Sequence, residues 1–390
     1  MEMDGNGWKW MEHPPMRLPL PPVLQPTNEM LQLIAGVDEF KGEWRAMVSL
    51  GPEKLESLRR IATIESVGSS TRIEGARLSD EEVEGLLGHL QAESFRSRDE
   101  QEVAGYAHVM NTVQAVYQDL PITGGILRQL HRDLLSFCVK DEWHRGSWKT
   151  QPNHVAAFDA AGAQVGIVFE TASPFDTPGL MERLLAWQAR EEGEASLHPL
   201  LRIAIFQVVF LAIHPFQDGN GRLSRVLTNL QLLRAGYAHA AFSSLESVVE
   251  HHKEAYSLGL RRTQTTFRSD EPDWGPWLLF FLRAMRTQIE RLRQRLTEMP
   301  ESRVVVPIPL TVDLSPLAGR LLALLEQQGA LSVAGAVAVF GTSRNTLKGK
   351  FTELVEGGFA ELHGKGRGAH YRPSRREKRL KRTSLRAGSG

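Results

Sequence analysis

The chain has 390 residues, 42% hydrophobic and 24% charged, which is too long for one compact core, so two or three domains are expected. Its 46 Lys and Arg balance 46 Asp and Glu, which excludes a global field drawing it to nucleic acid or membrane and leaves only local attraction. The single cysteine, Cys138, excludes an internal disulfide or a cysteine-built zinc site, and its apolar flanks Phe137 and Val139 predict a core position. The opening MEMDGNGWKWMEH lacks an apolar run with a small-residue cleavage site. Nowhere is there a run of about eighteen uncharged apolar residues, so a cytoplasmic protein without membrane attachment is expected. Up to about residue 27, Pro14, Pro15, Pro19, Pro21, Pro22 and Pro26 disfavour helix and predict an extended arm. From Glu29 on, apolar residues recur at helical spacing, as in Met30, Leu33 and Ile34, then Leu55, Leu58, Ile61 and Ala62. Ser79 with Glu82 reads as a capping box, and further helices are expected over about 100 to 118 and 124 to 138. Between Trp148 and Pro174, β-branched and aromatic residues around Asp159-Ala160-Ala161-Gly162 predict a short hairpin. Helices resume at about 177 to 191, 198 to 213, 220 to 235, 246 to 263 and 272 to 296.

At Met299-Pro300 the pattern breaks, and Pro307 and Pro309 mark a linker. Beyond it a helix with Leu317, Leu321, Leu322, Leu324 and Leu325 precedes two more, opened by Ser332 and Thr342, and then a glycine-tipped basic stretch with Gly364, Gly366 and Gly368. Three helices followed by a basic hairpin describe a winged helix-turn-helix. Residues 374–390 carry seven basic side chains against one acid and are expected to be disordered. The fold class expected is therefore mainly α: a helical core with a short β-hairpin, plus the C-terminal winged helix.

The segment richest in chemistry is His214 to Arg225. An apolar helix runs into His214, then into the turn Gly219-Asn220-Gly221, and a second helix follows. Such a turn gathers backbone N–H groups, and the second helix's N-terminus adds positive partial charge, which makes an anion site suited to phosphate. Glycine lets the backbone come close to the anion. Arg222 and Arg225, three apart, can contact successive phosphates. Asp218 is a hard oxygen ligand for Mg²⁺, and His214 can take a proton at neutral pH. Phe216 is expected to point inward and anchor the turn. Together these twelve residues form a phosphoryl- or nucleotidyl-transfer kit.

The string resembles the motif of the Fic family, His-x-Phe-x-Asp/Glu-Gly-Asn-Gly-Arg-x-x-Arg, and matches it at every specified position. LHRDLL at 130 to 135, the HPLLRIAIFQ helix and EPDWGPWLLFFL at 271 to 282 extend the resemblance over about 20 to 296. For the family this implies a helical core that binds ATP and Mg²⁺, a β-hairpin flap that aligns the target segment, and transfer of AMP to a Ser, Thr or Tyr hydroxyl with release of pyrophosphate. Carried over by residue, His214 is the general base and Asp218 the Mg²⁺ ligand. Gly219, Asn220 and Gly221 supply the anion hole, Arg222 holds the β-phosphate and Arg225 the γ-phosphate. Arg145, Gly146, Ser147, Trp148 and Lys149 lie where the family approaches its flap, with Lys149 in place of the usual arginine. The domains on this reading are an arm and helical segment at 1–95, a Fic catalytic core at 96–298, a linker at 299–312, a winged helix at 313–373 and a basic tail at 374–390.

Ser70-Thr71-Arg72-Ile73-Glu74-Gly75 is similar to the family's inhibitory pattern Ser/Thr-x-x-x-Glu-Gly, and its position puts the chain in the subclass with an N-terminal inhibitory helix. Ser70 and Glu74 are one turn apart on one helix face, and Gly75 suits a helix C-terminus. Glu74 paired with Arg225 would occupy the guanidinium that the γ-phosphate needs. The resemblance also allows that carboxylate to orient water and remove AMP. On the winged helix, Thr342, Ser343, Arg344, Asn345, Thr346, Lys348 and Lys350, with Lys365, Arg367 and His370 on the wing, suit groove and phosphate contacts. Expected partners are thus a target protein with a modifiable hydroxyl, DNA through the winged helix, and a second copy of the chain. The alternative functions are a DNA-binding regulator whose Fic core is regulatory, and transfer of another phosphate-containing group. His251 and His252 with Glu254 lack a third ligand nearby and read as a solvated helix face.

Overall fold

The computed structural model describes residues 2–4, 7–9, 18–47, 51–88, 95, 97–158, 164–299, 315–356, 359–364 and 369–374. Two units make up the chain, Met1–Val305 and Val306–Gly390. Among the described residues no helix is long and apolar enough to cross a membrane. The expected linker, apart from Met299, the hairpin tip 159–163, the wing tip 365–368 and the tail beyond Ser374 lie outside the described residues.

In the first unit, β1 (Glu2–Asp4) pairs antiparallel with β2 (Gly7–Lys9), where a single extended arm was expected. Asp4 and Gly7 at the strand ends are turn-forming residue types, a signal that the expectation drawn from Pro14 to Pro26 left out. Residues 18–27 contain no helix, as their prolines require. Helix α1 (Asn28–Ala46) starts where the Thr27 hydroxyl accepts the Met30 N–H at 3.2 Å, and it buries Met30, Leu33, Val37 and Phe40. Helix α2 (Pro52–Ile73) begins with proline at its first position. It ends in a Schellman cap, with Gly75 N–H bonded to Arg72 O and Ala76 N–H to Thr71 O, both at 3.1 Å, and Gly75 at φ 112°. Glu74 itself is the C-cap residue. Helix α3 (Asp80–Leu87) carries the expected Ser79–Glu82 capping box, and α4 (Arg98–Val116) has a second one, Ser97 with Glu100.

Helix α5 (Gly124–Leu134) crosses α4 so closely that a Cβ on Gly105 would lie 2.0 Å from the Leu134 carbonyl oxygen. It stops four residues short of the expected 138 because the chain turns back there, bringing the Gly146 N–H within 2.9 Å of His131 Nδ1. The turn leaves Cys138 buried, as expected, and burial pushes its thiol up to about 11. Strands β3 (Val155–Phe158) and β4 (Gln164–Phe169) form an antiparallel ribbon, with Val155 opposite Phe169 and Ala156 opposite Ile167. Helix α6 (Thr177–Glu194) packs on α7 (Pro199–Ile213), which in turn packs on α8 (Asn220–Arg234). From Leu200 to Ile213 every residue of α7 is buried, the mark of a helix surrounded by others. The helix expected over 246 to 263 is two, α9 (Leu245–His251) and α10 (Lys253–Gln264), broken at His252. The break lets α9 pack on α2 while α10 packs on α7, with both against α11 (Gly275–Glu298). His251 and His252 spend their Nδ1 atoms on the helix carbonyls of Ser247 and Val248.

The second unit consists of α12 (Pro316–Gln328), α13 (Val333–Phe340), α14 (Arg344–Glu356) and the antiparallel pair β5 (Ala360–His363) and β6 (His370–Pro373). Leu317, Leu321, Leu325, Leu347, Phe351 and Leu354 form its core, with Phe351 stacked on Tyr371 at 3.9 Å. A bridge between Leu331 and Tyr371 ties the hairpin to the segment before α13.

Candidate functional site

The site is the turn between the two most buried helices, α7 and α8. His214 closes α7 as its C-cap with left-handed φ 54° and ψ 59°, an unusual conformation for a side chain-bearing residue. Its Nδ1 lies 3.1 Å from the Leu211 carbonyl, which can only accept, so in the neutral ring the hydrogen is on Nδ1 and Nε2 keeps a free lone pair. Burial pulls its pKa down to about 4, and Lys149 adds to this while Glu74 and Asp218 oppose it. Phe216 is fully buried, stacked at 3.9 Å on His131. The Asn220 side chain closes the loop by accepting the Phe216 N–H at 2.9 Å and donating to the Phe216 carbonyl at 2.6 Å. Gly219 sits before α8 at φ 75° with no side chain to cap the helix. The first-turn N–H groups of α8 are therefore left for an outside acceptor.

Asp218 is held from several directions. Its Oδ1 accepts the Gly219 N–H at 2.6 Å, and its Oδ2 meets Arg98 at 2.9 Å and Arg222 at 3.2 Å. Burial works against its ionisation, but Arg222, the Gly219 N–H and Arg98 together hold the carboxyl below its usual range. His131 Nδ1 accepts the Gly146 N–H, so its Nε2–H donates to the Asp218 carbonyl at 3.0 Å. Burial brings that imidazole down to about 4, which keeps it neutral. Arg98 also pairs with Glu102 at 2.8 Å and Asp141 at 2.9 Å, and Arg222 with Glu102 at 3.2 Å, so an alternating charge network surrounds the aspartate.

Arg225, buried in the next turn of α8, faces the end of α2. Its Nε donates to Ser70 Oγ at 2.7 Å, and its terminal nitrogen donates to Ser70 O at 2.9 Å and Glu74 Oε1 at 2.7 Å. That Oε1 lies only 2.1 Å from where a Cβ on Gly221 would stand, so the carboxylate fills the space that the glycine leaves open. Burial disfavours the Glu74 charge, but Arg225, with help from Arg222 and His214, holds its pKa below the ordinary value. All the motif residues expected between His214 and Arg225 thus meet in one place, together with Ser70 and Glu74. Gly75 contributes through its backbone turn and not through contact.

Sequence reasoning missed Arg98, Asn153, whose amide donates to the His214 and Phe216 carbonyls, and the part played by His131. For His131 there was a signal: it shares the buried face of α5 with Leu127, Leu130 and Leu134, where a polar residue needs partners.

Residues 121–232, from the approach to α5 into α8, match the Fic/DOC family. The chain carries a Fic domain. The Fic domain holds His131, the ribbon and the 214–225 turn, while Ser70, Glu74 and Arg98 lie ahead of it. A protein adenylyltransferase Fic from Drosophila willistoni is 32% identical over 198 residues, 50% of this chain and 37% of that protein. One from Drosophila mojavensis is 31% identical over 222 residues, 55% of this chain and 41% of that protein. The chain thus spans well under two thirds of the curated relatives it matches. Among solved structures, a Fic family protein from Desulfovibrio desulfuricans has TM-score 0.57 and 22% identity, covering 91% of this chain and 98% of its own. Fic-1 from C. elegans has TM-score 0.56 and 18% identity, covering 69% and 73%. At these identities the structural likeness establishes the fold.

Proposed function

We propose that the chain is an autoinhibited protein adenylyltransferase, moving AMP from ATP to a Ser, Thr or Tyr hydroxyl of a target protein. His214 Nε2 takes the proton of that hydroxyl, the freed oxygen attacks the α-phosphorus, the bond to the β-phosphate breaks, and pyrophosphate leaves. Gly219, Asn220 and Gly221 with the α8 N-terminus receive phosphate oxygens, while Arg222 and Arg225 take the β- and γ-phosphates. Asp218 would hold Mg²⁺ as a hard carboxylate kept ionised at the mouth of the phosphate turn, its Oδ2 exchanging the Arg98 and Arg222 contacts for the cation, since Mg²⁺ prefers one or two carboxylates completed by phosphates and water. When bound, the metal neutralises phosphate charge.

The observation that carries the reading is Glu74 seated on Arg225 and above Gly221, a carboxylate where an anion site lies open at a helix start. The test is incubation of the Glu74→Gly protein and of wild type with labelled ATP, Mg²⁺ and candidate targets, followed by intact mass. AMP on protein with the variant supports the reading; no adduct on any target or on the chain itself counts against it. The same Glu74 carboxylate is suited to orient water for AMP removal, which adenylylated target incubated with wild type tests.

A second reading, a DNA-binding regulator, is favoured by Arg344, Asn345 and Lys348, all exposed on α14 of the second unit. Sequence-specific DNA binding without AMP transfer would select it.

A further inference from the structure

Lys149 is buried, which lowers its pKa to about 7, and among the described residues no carboxylate pairs with it. It is 3% exposed, and its ammonium donates to Asn153 Oδ1 at 2.7 Å, Thr171 Oγ1 at 3.0 Å and the Ile213 carbonyl at 3.0 Å, using all three hydrogens on neutral acceptors. Its own N–H donates to Pro215 O at 2.8 Å. Asn153 in turn donates to the His214 carbonyl at 3.2 Å and the Phe216 carbonyl at 2.6 Å, and accepts the Thr171 hydroxyl at 3.1 Å. Four successive carbonyls, Ile213 to Phe216, are thereby held by two side chains and one amide, all from outside the 214–225 turn. They span the residue with the strained left-handed backbone.

These same residues are the roots of the ribbon. Asn153 lies two residues before β3, and Thr171 two residues after β4. We infer that Lys149, Asn153 and Thr171 form a clasp that fixes the flap strands in register with His214, making Lys149 and Asn153 positioning residues for the base. The inference rests on the proposed adenylyl transfer and deepens it: a target strand laid along the flap would reach the imidazole at a distance set by the clasp, whatever its sequence. Arginine, with a planar fork, cannot present three divergent hydrogens to these acceptors from the same position, which gives the lysine a reason for its place here.

The test uses the full chain carrying Glu74→Gly, with Lys149→Met, Lys149→Arg or Asn153→Ala added. Affinity for MgATP is read by calorimetry, AMP transfer by intact mass, and the His214 ring by nuclear magnetic resonance against pH. The groups facing that ring are Lys149, Glu74 and Asp218. In the Glu74→Gly chain, loss of the Lys149 cation leaves Asp218 to raise the imidazole pKa in Lys149→Met but not in Lys149→Arg. Transfer falls roughly 10- to 100-fold in Lys149→Met and Asn153→Ala while MgATP affinity stays within about twofold, as expected when geometry and not binding is lost. Should Lys149→Met fail to fold, Asn153→Ala at a half-buried position carries the test. A ring pKa unchanged in a folded Lys149→Met chain, or unchanged transfer in Asn153→Ala, overturns the clasp. Absence of transfer in the Glu74→Gly parent overturns the proposed function instead and leaves the ring titration to decide the clasp.

Discussion

At His214, deprotonation is the condition for acting as a base. With its pKa drawn down to about 4 by burial, the ring is neutral throughout the physiological range, and proton uptake on acidification removes the base. Transfer by the released enzyme is therefore expected to hold steady from pH 8 down and to fail only as pH approaches about 4, where an unperturbed histidine would fail near 6.5. Glu74 opposes the downward shift, so Glu74→Gln should move the acid limb lower, not higher. A limb near 6.5 in initial rates would mean that the ring is solvated when it works. His214→Ala should abolish AMP transfer yet keep MgATP binding by calorimetry, because the ring touches none of the groups assigned to phosphate. Transfer within a few-fold of the parent would assign the base elsewhere.

Helix packing makes two further outcomes measurable. Glycine within a helix ordinarily costs about 1 kcal/mol against alanine, so Gly105→Ala would stabilise an open helix. Here the new Cβ meets the Leu134 carbonyl at 2.0 Å, and the helices must separate. A loss of about 1 to 3 kcal/mol is expected in denaturant unfolding, and a gain would show that α4 and α5 are not so close. On α2, the proposed brake sets Glu74 against the γ-phosphate for the guanidinium that Glu74 now holds at 2.7 Å, and removing a partner from such a part-buried pair is worth up to about 3 to 5 kcal/mol. Glu74→Gln and Glu74→Gly should both raise transfer strongly on the same target. Activation by Gly alone would point to helix loosening, and equal rates for all three proteins would remove the brake. The turn at 214–225 was readable because its chemistry is local, a glycine-bracketed loop between two periodic helices. Its supports were not, since Asn153, His131 and Arg98 reach it from 61, 87 and 120 residues away, and no local pattern says which distant backbone group a lone polar side chain will meet. The break at His252 was hidden for a related reason: apolar spacing runs on through it, and the bend shows only in packing, where α9 meets α2 and α10 meets α7 while both lie on α11.

Across the chain, charge is balanced overall but uneven, with seven of the basic residues packed into 374–390. Deleting that segment should leave AMP transfer unchanged, since every assigned site residue lies between Ser70 and Arg225. If the second unit binds DNA, the deletion should weaken binding and lower the log–log salt slope by about one for each DNA phosphate that the tail neutralises. An unchanged slope in a salt titration would show that the tail does not touch DNA. Element order in the second unit was readable from its leucine spacing and the Ser332 cap, whereas its ligand is not, because exposed basic residues serve DNA and protein partners alike.

Glu74 stands at the very end of α2, on a residue whose amide bonds back into the helix and whose successor turns left-handed. If Glu74 is the proposed brake, a catch mounted there opens by fraying. Only the last turn would have to unwind for the carboxylate to swing clear, while Ser66, further back on α2, stays bonded to Glu246. Helix ends are where local opening costs least, far below the cost of undocking twenty-two residues. Saturating MgATP should accordingly speed amide exchange at Glu74, Gly75 and Ala76 and leave the amides of Leu58 to Val67 as protected as before. Faster exchange along the whole of α2 would mean that the helix leaves as a body, and that whatever releases the enzyme must grip more than its tip.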